Sequence, residues 1–364
     1  MLTAGDPVKN ARALLRNALP INNPPLRTIQ SNLEGISEQL RIPGSKALGP
    51  IARAVGKATG TLVAERARIS AAFAPDKKAA GDAALDKLAD ALKAFNAVLE
   101  AKDKQGIPAA QNAALAQVTA AEEALVKGFP FEVPAKYADL PQLKGRATLE
   151  MKVSLRTARQ DGVKGGVMTM VADGFNAPLT AGNFVDLAAK KFYDGMEVQR
   201  ADGFVVQTGD PGTPSGGYEE GGRPRTIPFE VMVRGEKAPV YEDTLEDLGR
   251  PNAQPAIPFN AYGTAALARS EFEANSGSSQ IFWLLKESEL TPSGANLLDG
   301  RYAVFGYIVD GAELLADMQV GDRIDYIKVT EGLQNLQPGA RKGGAAAAAV
   351  ADAAPEAAAA VVAE

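Results

Sequence analysis

"APLTAGNFVDLAAKKFYDGMEVQRADGFVVQTGDPG", Ala177 to Gly212, carries the reading of the fold. Its first half predicts a helix. Thr180 is placed to cap the start, Phe184, Leu187, Ala188 and Phe192 line one face, and Gly195 supplies the C-terminal stop. Its second half predicts a short buried strand at Phe204-Val205-Val206, closed by the turn Gly209-Asp210-Pro211-Gly212. Arg200 precedes that strand and Gln207 follows it, an odd load for an element that goes inside. In an arbitrary strand they are a solvated cation and a satisfied amide.

Around this stretch, from Arg146 to about Leu333, short apolar runs alternate with Gly, Asp and Asn turns. The clearest are "ATLEMKVSL", "GGVMTMVA", "GFVVQ", "IPFEVMV", "SQIFWLL" and "YAVFGYIV". This is the pattern of a β-barrel or sandwich. A second helix is expected at "GAELLADMQVGD", closed by Gly321. The domain is expected to span 146–335.

Residues 1–128 have a different character, rich in Ala, Leu, Lys and Glu, and read as helical throughout. Asp6-Pro7 gives an N-cap followed by proline at the first helical position. Leu85, Leu88, Leu92, Phe95 and Leu99 form a seam at 3-4 spacing, with shorter stripes at Leu33, Ile36, Leu40 and at Leu115, Val118, Leu125. Pro24-Pro25, Pro43-Gly44, Pro75-Asp76 and Gly106-Ile107-Pro108 punctuate the helices, so a bundle of four or five is expected. Between the two regions, "FPFEVPAKYADLPQLKG" (129–145) reads as a stiff, proline-rich linker anchored by Phe129, Phe131 and Tyr137. It should hold the bundle in contact with the barrel, either over a groove or on the opposite side. Residues 340–364 form a low-complexity, Ala-rich tail with no chemistry of their own.

Composition narrows the chemistry. The chain has no cysteine and no histidine, which excludes thiolate nucleophiles, His-based metal sites and a Ser–His–Asp triad. A net charge of −5 argues against nucleic acid as a partner. No run approaches the roughly twenty apolar residues that span a bilayer. No phosphate-binding loop precedes a helix. Any catalysis rests on Arg, Gln, Tyr, carboxylates and backbone.

The motifs then decide. The helix followed by an Arg and a G-F-x-x-Q-x-G-D strand resembles the cyclophilins, as do "NSGSSQIFWLL" and "LLDGRYAVFGYIVDG", in family order. The whole chain, with its bundle and the phrases "LPQLKGRA" and "FWLLKESELTPS", resembles the large cyclophilin-38-type proteins of the thylakoid lumen. The resemblance implies an N-terminal helical bundle followed by an eight-stranded antiparallel barrel with two capping helices. It implies a peptidyl-prolyl cis-trans isomerase that needs no cofactor and acts on proline-containing segments. It also implies a lumenal location and a part in photosystem II assembly or maintenance, with photosystem II subunits as partners. Under it, Arg200 supplies the catalytic guanidinium and Gln207 steadies the substrate or the arginine. Phe204, Phe282 and Leu298 line the proline pocket, Val205, Gln280, Arg269, Leu297 and Tyr302 belong to the same groove, and the substrate backbone passes Ala268.

This sequence departs from the family at several of these positions. The loop between Arg200 and Gly203 is a residue short. Leu297 stands for the usual Trp, Tyr302 for His, Arg269 for Asn and Val205 for Met. Trp283, the one tryptophan, is expected to face away from the pocket by strand alternation. The stretch 211–258 is an insertion that would sit on the surface and, if functional, bind partners. The expected activity is therefore weak, and the alternative is a degenerate barrel serving as a protein-binding assembly factor.

Overall fold

The computed structural model describes residues 8–41, 48–159, 162–287 and 296–339. The Ala-rich tail, Asp6-Pro7 and Pro43-Gly44 lie outside them. Helices α1 (Ala11–Asn17), α2 (Pro24–Glu34), α3 (Ile36–Gln39), α4 (Leu48–Ala72), α5 (Lys78–Glu100) and α6 (Ile107–Ala124) fill the N-terminal region. Four of them, α2, α4, α5 and α6, close the bundle in that order around one core, to which the short α3 adds Ile36. Leu85, Leu88, Leu92 and Phe95 are fully buried in its core, as the 3-4 seam requires, together with Leu33 and Ile36.

The first helix behaves differently. It starts at Ala11, where the Asn10 side chain accepts the Ala13 N–H at 3.0 Å. Leu14, Leu15 and Ala18 then pack into the barrel core instead of the bundle. The chain therefore leaves the barrel after α1, builds the bundle and returns.

Eight antiparallel strands make the second unit: β1 (Arg146–Ser154), β2 (Gly165–Asp173), β3 (Val198–Ala201), β4 (Val205–Thr208), β5 (Thr264–Leu267), β6 (Ile281–Leu284), β7 (Val304–Asp310) and β8 (Arg323–Glu331). Their spatial order is β8-β1-β2-β7-β5-β6-β4-β3. The sheet curls until its edges meet at a bridge between Glu197 and Arg323, where Val198 N–H donates to Asp322 O at 2.8 Å and Ile324 N–H to Met196 O at 2.8 Å. The edges are thus paired and not left open. Inside lie Trp283, Tyr307, Phe305 and Tyr193, with Phe184 of α7 (Pro178–Ala189) 4.9 Å from Phe305 between ring centres.

Several local expectations change. Thr180 does not cap α7. Pro178 opens the helix after Ala177, and the free N–H groups of Leu179 and Thr180 donate to the buried carboxylate of Glu230. The helix stops at Ala189, before Gly195, with Lys191 in the left-handed region. "GAELLADMQVGD" forms a 3₁₀ segment, Ala312–Asp317, and not an α-helix: left-handed Gly311 and extended Met318 bound it to six residues, room for two tight turns. "IPFEVMV" supplies no barrel strand; Glu230–Val231 pairs with Val240–Tyr241 inside the same insertion, and Ile227 and Val233 make isolated bridges to Gly277 and Pro255.

The linker is built into the barrel. Gln142–Leu143 pairs with Leu336–Gln337, and a Cβ on Gly182 of α7 would lie 2.5 Å from Pro141 O. Bundle and barrel meet at Arg146. Its guanidinium donates to Asp173 at 2.8 Å and Glu123 at 3.3 Å, and also to the Leu15 carbonyl, while Asn176 Nδ2 donates to Ala18 O at 3.1 Å. The contact between bundle and barrel is therefore direct.

Candidate active site

Strand register sets the site. Arg200 of β3 lies opposite Gln207 of β4, Gln207 opposite Phe282 of β6, and Phe282 opposite Ala266 of β5. Directly opposed residues share a face, so a cation, an amide and an aromatic ring run in one row across three strands. The alternate row, Val206, Trp283 and Ala265, turns into the barrel, where all three are fully buried. This explains why so short a strand carries an arginine and a glutamine: they belong to its outer face.

The row forms the floor of a groove of about 510 Å³. Arg200, Phe204, Val205, Gln207, Ala268, Arg269, Gln280, Phe282, Leu298 and Tyr302 line it. Phe282 stacks on Phe259 at 6.0 Å and meets the edge of Tyr302 at 5.4 Å, which fixes an apolar slot. The Arg269 guanidinium covers the Tyr302 ring at 4.9 Å. It is immobilised by carbonyls, donating to Arg301 O at 2.8 Å and Ser270 O at 2.7 Å. Phe204 stands at the rim, 41% exposed, whereas Val205 is buried.

Leu297 is the exception. It is 87% exposed and borders a neighbouring depression beside Phe272. Ser215, Gly216, Ser270, Ser276 and Ser278 also line the groove, although sequence reasoning passed over them. Their only signal is small, polar composition in two loops. No described residue of the helical bundle lines it, so the described part of the bundle contacts the barrel without covering the groove.

Gln207 Nε2 donates to Gln280 Oε1 at 2.7 Å, and Gln280 Nε2 donates to Gly216 O at 2.7 Å. Gln207 thus gives one amide hydrogen to Gln280, the residue before β6, and keeps its second hydrogen and its carbonyl oxygen. Arg200 is held by Asp202, a residue that sequence reasoning did not single out. Arg200 Nε reaches Asp202 Oδ2 at 2.7 Å and Nη2 reaches it at 2.6 Å. The N–H groups of Val205 and Phe204 donate to Asp202 Oδ1 and, with Arg200, hold its carboxyl down at about 2.

The barrel's match is specific. Residues 155–333 match the family described as cyclophilin type peptidyl-prolyl cis-trans isomerase. Over 338 residues the chain is 50% identical to the chloroplastic peptidyl-prolyl cis-trans isomerase CYP38 of Arabidopsis thaliana, covering 92% of this chain and 77% of that protein. The chain belongs to the cyclophilins. Its bundle, residues 10–126, matches the PsbQ-like domain of CYP38-like isomerases, so this cyclophilin combines both parts. It is 42% identical over 341 residues to a Synechocystis protein named as a thylakoid lumen peptidyl-prolyl cis-trans isomerase, covering 93% of this chain and 86% of that one. To the chloroplastic isomerase CYP37 of Arabidopsis thaliana it is 32% identical over 334 residues, covering 88% and 69%. Among the described residues no helix is long and apolar enough to cross a membrane.

Proposed function

We propose that this cyclophilin binds proline-containing protein segments in the groove and isomerises their prolyl bonds at a low rate. The row Arg200–Gln207–Phe282 carries the reading. A prolyl bond resists rotation by about 18–20 kcal/mol because the nitrogen lone pair is delocalised into the carbonyl. An N–H donor aimed at that nitrogen draws the lone pair out of resonance, and no nucleophile or cofactor is required. Arg200 is the donor, and the slot of Phe282 and Tyr302 grips the proline ring. The amide pair Gln207–Gln280 faces the rotating carbonyl. Catalysis of this kind is positioning and electrostatic stabilisation.

The reading extends to the thylakoid lumen, supported by two relatives named as chloroplastic and one named for the thylakoid lumen, and to photosystem II subunits as clients in assembly or maintenance. Residues 1–128 serve as the helical domain, 129–145 as the connector and 146–335 as the isomerase domain. A binding module with vestigial turnover is the second reading. It is favoured by the Gln207–Gln280 bond, which takes one of the two amide hydrogens that Gln207 could offer a substrate.

A prolyl-peptide isomerisation assay on the full chain separates them. Arg200→Ala should lower kcat/KM at least about tenfold while the fold persists. Equal rates for the two proteins, with equal peptide affinity, would leave only the binding module.

A further inference from the structure

We propose that Asp202 is the positioning residue for Arg200, holding the guanidinium in the pose that faces the groove. This rests on the isomerase reading above. The carboxylate works from both sides. Oδ1 accepts the N–H groups of Phe204 and Val205, each at 2.9 Å, so the backbone entering β4 anchors it. Oδ2 takes Nε and Nη2 of Arg200 together, at 2.7 and 2.6 Å. Gly203, at φ 77°, is the left-handed residue that turns the chain back so that Asp202 can reach both partners. The short loop after Arg200 thereby becomes a clamp.

Two Nη1 hydrogens and one on Nη2 remain free of the clamp. Arg200 lines the groove and Asp202 does not, so the clamped pose is the one that presents those donors. The Arg200 side chain is 55% exposed, and among the described residues the carboxylate of Asp202 is the group that its guanidinium reaches. Unheld, it would scatter among rotamers, and a shift of about 1 Å at a reacting centre can cost a hundredfold in rate. The carboxylate also offsets part of the guanidinium charge. At an exposed site water and salt screen that loss, whereas the side chain's conformational freedom is intrinsic to it. Positioning therefore outweighs neutralisation.

The test uses the full chain. Asp202→Asn keeps an oxygen for the Phe204 and Val205 N–H groups and removes the charge that grips Arg200. Asp202→Ser, whose hydroxyl can also cap the turn, is the second variant. The expected result is a fall of about tenfold in kcat on a prolyl peptide with little change in KM. The NMR order parameter of the Arg200 Nε–H should fall in parallel. In an Arg200→Ala background, Asp202→Asn should cost nothing further. An unchanged Arg200 order parameter, or an equal loss of kcat without Arg200, would overturn the proposal. If the wild-type chain turns over no prolyl peptide, the isomerase reading fails, and the order parameter alone decides the positioning role.

Discussion

Glu230 Oε2 accepts a hydrogen bond from the backbone N–H of Thr180 at 2.9 Å and another from its hydroxyl at 3.0 Å. With the Leu179 N–H at 3.0 Å, these bonds seat a fully buried carboxyl on the first turn of α7. The residue comes from the 211–258 insertion, so that segment is stitched into the barrel at its one long helix. Burial outweighs the donors and pushes Glu230 up to about 7.

Stability should consequently fall with rising pH. A carboxyl whose folded pKa is raised stabilises fully below its unfolded value and loses that contribution as pH rises through the folded one. Burial also raises Glu122 to about 7 and Asp299 to about 6, in the same direction. The unfolding free energy is expected to be larger at pH 5 than at pH 8 by several kcal/mol, at about 1.4 kcal/mol per unit that each pKa is raised. Glu230→Gln, which keeps an acceptor and cannot ionise, should flatten the profile. Urea titrations at the two pH values measure both effects.

The buried pair at the junction should be costly to break. Asp173 is fully buried, and Arg146 has no other partner of comparable proximity among the described carboxylates. Asp173→Ala leaves the guanidinium uncompensated and is expected to cost about 3–5 kcal/mol. Chemical denaturation reads the loss; a change below about 1 kcal/mol would mean that Glu123 and the Leu15 carbonyl suffice.

Leu14 and Leu92 should report on different cores. Trp283, the only tryptophan, is buried in the barrel, so its fluorescence follows that unit. Leu14→Asp puts a charge into the barrel core and should shift the fluorescence transition by several kcal/mol. Leu92→Asp should do the same to the bundle, moving the helical circular-dichroism transition first. Identical shifts in both signals for both variants would show a single cooperative unit.

Leu297 and Tyr302 should separate in binding. Tyr302→Ala removes the edge-on partner of Phe282 and should weaken a prolyl peptide about fivefold or more. Leu297→Ala lies outside the groove and should change affinity by less than about twofold. Peptide titration by NMR or calorimetry provides the comparison.

Much was written locally. Leu85, Leu88, Leu92 and Phe95 announce a buried stripe because helical period and burial coincide. The alternation around Phe282 and Trp283 sends one ring to the groove and the other to the core. The motif order identified ten of the residues that line the groove; it missed Ser215, Gly216, Ser270, Ser276 and Ser278, and it included Leu297, which lies outside.

What required the tertiary structure depends on partners distant in sequence. The apolar face of α1 fits a bundle as well as a barrel, and only packing assigns Leu14 and Leu15 to the barrel. Thr180 reads as an N-cap until Glu230, fifty residues later, arrives to take the open N–H groups. Asp202 is the local exception: its partners lie within three residues, and the turn at Gly203 is what aims them at one carboxylate. Sequence periodicity settles which side chains seek an interior, because that preference belongs to each residue and its near neighbours. Which interior they enter, and which charge meets which donor, is settled by closure of the barrel, because short-range forces act only after the chain has brought those groups together.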